Sequence, residues 1–237
     1  MTPPDLLTEW ARLLMASLRE AGLRDVVLSP GSRSTPFAWA ALRDPGLRCR
    51  AIIDERSAGF FAVGHARMTG EPVLLVSTSG SAAANYFPAL VEAAEAAVPV
   101  LVLTADRPLE FQRAAAPQTI DQVKLYGDHV RAYLDLGTPD PDPRMLRALP
   151  RLAAQAMLTA RSPVPGPVHL NARARKPLEP LTGDPGSGLR GTVDALIEGA
   201  PSAAPAVAGP DPGAIESLVE ACRRSPRGLI VCGPAAP

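Results

Sequence analysis

The stretch Pro72-Val-Leu-Leu-Val-Ser-Thr-Ser-Gly-Ser81 decides the fold, together with the small-residue run 82–96 and Val98-Pro-Val-Leu-Val-Leu103 behind it. Residues 72–76 form a continuous apolar run of strand length, and such a run fits a strand buried on both faces. Ser77-Thr-Ser-Gly-Ser81 turns the chain, 82–96 reads as a helix, and 98–103 reads as the next strand. The same rhythm repeats upstream. A helix is expected over 5–21, where Leu6, Trp10, Leu13, Leu14 and Leu18 recur at three- and four-residue steps ahead of Gly22. Asp25-Val-Val-Leu28 is a strand that runs into Ser29-Pro-Gly-Ser-Arg-Ser-Thr-Pro36, with a helix near 37–42. A further strand over 50–53 stops at Asp54-Glu55, and a helix of small residues runs from about 57 to 69, ended by Gly70. Strands alternating with helices predict an α/β fold, a doubly wound parallel sheet with helices on both faces. Ligands of such sheets bind beyond the carboxyl ends of the strands. The loops 29–36, 54–57, 77–81 and 104–108 are therefore the place to look, and the polar residues concentrate there.

Downstream, a less regular stretch contains Gln118, Asp121 and Gln122, followed by a helix near 144–161 and a strand over 167–171. From about 175 to 212 the chain is rich in Pro, Gly, Ala and Ser, the composition of a linker. A helix over 214–224 and a strand over 228–232 then open something new. One βα unit cannot bury its own core, so the expected organisation is a domain over 1–180, a linker over 181–212, and the truncated start of a second α/β domain over 213–237.

Composition narrows the function classes. Lys+Arg and Asp+Glu are balanced at 24 each, which gives no electrostatic case for nucleic acid or an anionic membrane. No apolar run is long enough for a membrane span. The acidic residues near the N-terminus are unlike a signal peptide. Three cysteines, Cys49, Cys222 and Cys232, are too few and too scattered for a disulfide framework, so a cytoplasmic setting is expected. His65, His129 and His169 share no ligand spacing, and no metal site is expected in these residues. Gly186-Ser-Gly-Leu-Arg-Gly191 matches G-x-G-x-x-G but follows no strand, so it reads as linker.

Individual loop residues stay ambiguous when taken singly. The Ser77–Ser81 turn could present N–H groups to an anion or be an ordinary βα turn; no Lys follows, so it is not a P-loop. Glu55 sits where a strand gives way to a helix, and a carboxylate is favoured at that positive end whatever its function. Its neighbours Ala58, Gly59, Phe60 and Phe61 suit close packing around a ligand. Arg33 and Arg107, at the ends of different strands and beside Ser32, could form a bidentate carboxylate clamp or be solvated charges.

Taken in order, Ser29-Pro-Gly-Ser-Arg-Ser-Thr-Pro36, Asp54-Glu-Arg-Ser-Ala-Gly-Phe-Phe61, Thr78-Ser-Gly-Ser-Ala-Ala-Ala-Asn85, Leu103-Thr-Ala-Asp-Arg-Pro108 and Gln118-Thr-Ile-Asp-Gln122 are far more specific. Over residues 1–180 the chain resembles the 2-succinyl-5-enolpyruvyl-6-hydroxy-3-cyclohexene-1-carboxylate synthases of menaquinone biosynthesis, a family of thiamine-diphosphate enzymes. The resemblance implies a pyrimidine-binding domain with Glu55 as the catalytic carboxylate that hydrogen-bonds the cofactor's aminopyrimidine. It further implies Ser79, Gly80, Asn85 and Gln118 against thiamine diphosphate, and Ser32, Arg33, Arg107 and Gln118 against substrate. The implied reaction decarboxylates 2-oxoglutarate and adds the succinyl unit to isochorismate. Mg2+ or Mn2+ would be held by a C-terminal domain absent from this sequence, in a homodimer or dimer of dimers, and residues 1–237 alone are expected to be inactive. An acetolactate-synthase type of thiamine-diphosphate enzyme would share Glu55 and the TSG turn but has less need of the arginines. A non-catalytic anion-binding or dimerisation module is the alternative from another class.

Overall fold

A computed structural model describes residues 5–181, 188–202, 204, 209–225, 227–229 and 231. The sheet has six strands, β1 (Asp25–Leu28), β2 (Arg48–Ala51), β3 (Val73–Ser77), β4 (Val100–Asp106), β5 (Ala132–Gly137) and β6 (Val168–Arg173). Their order is β2-β1-β3-β4-β6-β5, with every pairing parallel. The helices are α1 (Leu6–Glu20), α2 (Thr35–Arg43), α3 (Glu55–Thr69), α4 (Ser81–Asn85), α5 (Phe87–Glu95), α6 (Pro143–Arg161), α7 (Leu189–Glu198) and α8 (Pro212–Arg224).

Strand alternation divides the interior into two cores. Val26 and Leu28 of β1, Leu74 and Val76 of β3, and Leu101 and Leu103 of β4 face α1, α2, α6 and α7. Val27, Val73, Leu75, Val100 and Val102 face the opposite way, toward α3 and α5. Burying both faces explains why β3 and β4 read as unbroken apolar runs. The chain leaves β1 outward to β2, then returns across the sheet through α3 to β3, on β1's other side. The chain after β1 consequently leads to α2 on one face and the chain after β3 leads to α5 on the other, which makes β1/β3 the switch point at which doubly wound sheets bind ligands.

Local chemistry sets the ends of α3. Asp54 caps it, accepting from the backbone N–H groups of Arg56 and Ser57, and Gly70 closes it in a left-handed conformation at φ 70°. The helix expected over 82–96 is two pieces that meet at Tyr86, because Pro88 has no N–H to continue the first into the second. The edge strand β5 was absent from the sequence reading. Its residues are mostly half-buried, and Asp135 interrupts the apolar pattern.

The span expected as linker holds α7, whose Leu189 and Val193 are buried in the core that contains α1. The local spacing of Leu189, Val193 and Leu196 carried this signal, and the surrounding Pro/Gly/Ala composition masked it. Part of Gly186–Gly191 lies outside the described residues. Gly188 precedes α7 in a left-handed conformation, and Leu189 to Gly191 form the helix's first turn. α8 matches the helix expected over 214–224, and none of its residues is buried. For the strand expected over 228–232, Gly228, Leu229 and Val231 are not in a strand, while Ile230 and Cys232 lie outside the described residues.

Candidate active site

The site begins with close contact between the loops after β1 and β3. The Ser29 N–H donates to the Val76 carbonyl at 2.9 Å, extending the sheet into the loop. Gly31 then passes against Thr78 so closely that an added Cβ would lie 2.4 Å from the Thr78 Cβ. That contact places Arg33, whose N–H donates to Thr78 Oγ1 at 3.3 Å. The Arg33 side chain is only 4% exposed and donates to the Ala174 carbonyl. Burial lowers the Arg33 pKa, and the nearby positive charge of Arg107 lowers it further, with Asp106 opposing. The Asp106 carboxylate accepts the Arg107 backbone N–H at 2.7 Å, at the end of β4. Arg107 is half-buried and donates through Nη2 to the Pro117 carbonyl at 2.9 Å. Its Nε is buried without a partner among the described residues. Two neighbouring guanidinium groups, one with an unsatisfied donor, suit an anionic ligand such as a carboxylate.

The turn after β3 forms the second element. Ser79 and Gly80 are buried, and Gly80 takes φ 85°, a conformation that glycine adopts without the Cβ penalty. Gln118, itself at φ 55°, lies over this turn. Ser79 Oγ donates to the Gln118 carbonyl at 3.1 Å, and Gln118 Nε2 donates to the Ser79 carbonyl at 3.2 Å. A Cβ on Gly80 would meet Gln118 at 3.0 Å, so the two residues are mutually fitted. Beneath them Gln122 is fully buried, and its Oε1 accepts the Gly80 N–H at 3.0 Å.

Glu55 opens α3 at the positive end of the helix and is half-buried. Its link to the rest of the site is Tyr86. The Tyr86 hydroxyl donates to Ser29 Oγ at 2.9 Å and lies 3.2 Å from the Val76 carbonyl oxygen. Burial drives the Tyr86 pKa far up; its hydrogen bond to Ser29 opposes this, and the negative charge of Glu55 adds to the rise. The expected apolar surround is only half present. Ala58 and Gly59 are buried, but Phe60 is 50% and Phe61 37% exposed, because both lie on the outer side of α3. Asn85, at the end of α4, is exposed, as is Ser32 at the start of a short 3-10 helix.

The structure thus brings Ser32, Arg33, Arg107, Ser79, Gly80 and Gln118 into one wall. It places Glu55 and Asn85 beside that wall, on α3 and α4, without direct contact to it. Sequence reasoning gave no role to Gln122, Asp106 or Asn171, and no local pattern marks them, since Asn171 finds Gln122 and Asp106 across 49 and 65 positions of the chain. His169 is buried and its pKa is pushed down to about 3, first by desolvation, so it is neutral at ordinary pH. Among the described residues no group of three or more His, Cys, Asp or Glu could hold a metal, and no helix is long and apolar enough to cross a membrane.

Comparison with known proteins finds related sequences. The family described as thiamine pyrophosphate enzyme, N-terminal TPP binding domain, matches residues 8–125. A 2-succinyl-5-enolpyruvyl-6-hydroxy-3-cyclohexene-1-carboxylate synthase of Sorangium cellulosum is 52% identical over 98% of this chain and 38% of its own length. Proteins of the same name from Haloarcula marismortui and a Roseiflexus species are 46% and 47% identical, over 99% and 96% of this chain. The chain spans about two-fifths of the length of these relatives, 41% and 40% for the latter two.

Proposed function

Since the chain belongs to the thiamine pyrophosphate enzymes through its N-terminal TPP-binding domain, we propose that it supplies the pyrimidine-binding half of a 2-succinyl-5-enolpyruvyl-6-hydroxy-3-cyclohexene-1-carboxylate synthase. In this reading 2-oxoglutarate is decarboxylated and its succinyl unit is joined to isochorismate. The observation that carries the reading is a buried Arg33 and a half-buried Arg107 with an unsatisfied Nε, on the loops after β1 and β4, beside a turn whose Gly80 is fitted tightly against Gln118. Both substrates are multiply anionic, and two arginines at the strand ends suit them better than they suit the less charged substrates of an acetolactate-synthase type.

The residues present fit the pyrimidine portion of thiamine diphosphate. Glu55 at the head of α3 would hold a proton at the ring nitrogen, while Ser79, Gly80, Gln118 and Asn85 would line the ring. Bound cofactor would supply the electron sink for loss of carbon dioxide. Arg33 and Arg107, with Ser32, would orient substrate carboxylates and hold them against diffusion. Gln118, fixed on the turn by two hydrogen bonds, would stand between cofactor and substrate.

The diphosphate, with Mg2+ or Mn2+, would be bound by further residues of a longer polypeptide, as suits relatives of which this chain spans 38–41%. A homodimer or dimer of dimers would place that region against Glu55. The exposed Phe60, Phe87 and Ile53 near the open side of the site support such a contact. A cytoplasmic location completes the proposal.

The test measures 2-oxoglutarate and isochorismate consumption with thiamine diphosphate and Mg2+. The full-length polypeptide carrying these residues should turn over both, and residues 1–237 alone should turn over neither. Turnover of 2-oxoglutarate without isochorismate consumption would replace this reading with another thiamine-diphosphate enzyme.

A further inference from the structure

Behind the wall of the site lies a buried polar chain formed by Gln122, Asn171, Thr104 and Asp106. Asn171, on β6, is fully buried, and every hydrogen bond it makes is directional. Its Oδ1 accepts from Gln122 Nε2 at 3.0 Å and from Thr104 Oγ1 at 2.8 Å. Its Nδ2 donates to Asp106 Oδ2 at 3.0 Å. Asp106 Oδ1 in turn accepts the Arg107 N–H at 2.7 Å and Gln112 Nε2 at 3.3 Å. At the other end, Gln122 Oε1 accepts the Gly80 N–H at 3.0 Å, and its Nε2 also reaches the Ala105 carbonyl at 3.3 Å. Thr104 has one hydroxyl proton and gives it to Asn171. The 2.7 Å contact with His169 Nε2 is therefore an Nε2–H donation to Thr104, which fixes the neutral histidine's tautomer.

We infer that Asn171 is a positioning residue that couples the Gly80 turn to the Asp106–Arg107 corner. Only a side-chain amide meets both demands, an acceptor toward Gln122 and Thr104 and a donor toward Asp106. A carboxylate at 171 would set two anions against each other in the interior, and an apolar residue would leave Gln122 and Asp106 each short of a partner. The oriented amide has a reason beyond filling space. Gly80 and Arg107 sit on different loops, and the buried side chains give them one common reference, so the turn and the clamp hold a fixed separation. The relevance of that separation to catalysis rests on the proposed function. The coupling itself does not, and it is measurable on this chain alone.

The experiment is amide hydrogen exchange by NMR on the 237-residue chain, comparing native protein with Asn171→Asp, Asn171→Ala and the milder Gln122→Leu. The amides of Leu75 and Val102, inside β3 and β4, report global opening. Asn171→Asp and Asn171→Ala should each speed exchange at both Gly80 and Arg107 at least about tenfold beyond any change at Leu75 and Val102. Gln122→Leu removes the Gly80 acceptor directly and should expose Gly80 to a similar degree. Adding Asn171→Ala to it should speed Gly80 little further, since both act along one path. If Gly80 keeps its native protection in the Asn171 variants, or changes only in step with the core amides, the coupling does not exist. Should the Asn171 variants not fold, Gln122→Leu decides at the far end of the chain of bonds: it should also speed Arg107 exchange, and Arg107 exchange that is unchanged, or changed only in step with Leu75 and Val102, overturns the proposal.

Discussion

Two parts of the candidate site are built differently. The wall made by Arg33, Arg107, Ser79, Gly80 and Gln118 is finished within this chain apart from the Arg107 Nε: Ser79 and Gln118 bond each other, Gly80 bonds Gln122, and the arginines donate to the Ala174 and Pro117 carbonyls. The α3–α4 side is open. Glu55 is half-exposed, Asn85 is exposed, and Phe60 on the same side is 50% exposed. The contrast teaches a division of labour. Anion recognition needs rigid donors, which one chain can supply from its own core. Under the proposed function Glu55 would share a proton with a cofactor ring and would need an apolar cover, which the buried Ala58 and Gly59 supply only in part.

The contrast can be broken most forcefully from the core. His169 stands under the finished wall with its pKa lowered to about 3 by burial. The unfolded chain takes up a proton near the ordinary histidine value while the folded chain resists it. Stability is therefore fully present above about pH 6.5 and is lost as pH falls toward 3, by up to about 4–5 kcal/mol. Replacing His169 with Gln should flatten the acid limb of a urea-midpoint-versus-pH profile over that window; an unchanged limb would deny the buried, neutral state. Next in size is Gly31→Ala, whose Cβ would fall 2.4 Å from the Thr78 Cβ. Chemical denaturation should record a loss of about 1–3 kcal/mol, with Arg33 displaced. Gly59→Ala tests the packing of α3 on α5, where a Cβ would meet Ala89 Cβ at 2.7 Å; the same assay should read about 1–2 kcal/mol lost.

The smallest effect probes the open side. Gly64 lies in α3 with nothing within 4 Å of an added Cβ, so Gly64→Ala should stabilise this chain by about 0.5–1 kcal/mol through helix propensity. Destabilisation there would mean that the outer face of α3 is covered in the 237-residue protein.

The sheet was legible because strands buried on both faces must be apolar throughout, as Val73 to Val76 and Val100 to Leu103 are. The loops were legible because a doubly wound sheet leaves its polar residues at strand ends. β5 was not, since an edge strand is half-solvated and tolerates Asp135. α7 was hidden by composition, although Leu189 and Val193 keep helical spacing. Within the site, Arg33 and Gly80 could be picked from the sequence, but Asn171 and Gln122 could not. Their importance lies in hydrogen bonds between residues 49 positions apart, which no local pattern encodes. Phe60 and Phe61, expected to suit close packing around a ligand, are 50% and 37% exposed on the outer side of α3.

The most direct test of the central claim is steady-state kinetics of Glu55→Gln beside Arg107→Gln in the full-length polypeptide. The open side should carry chemistry and the finished wall should carry binding. Glu55→Gln should lower kcat by about 100-fold or more with KM for 2-oxoglutarate changed less than about threefold, while Arg107→Gln should act mainly by raising a substrate KM. Near-native kcat in Glu55→Gln would contradict the account, because no other carboxylate at this end of α3 could hold that proton while Asp54 is engaged as the helix cap.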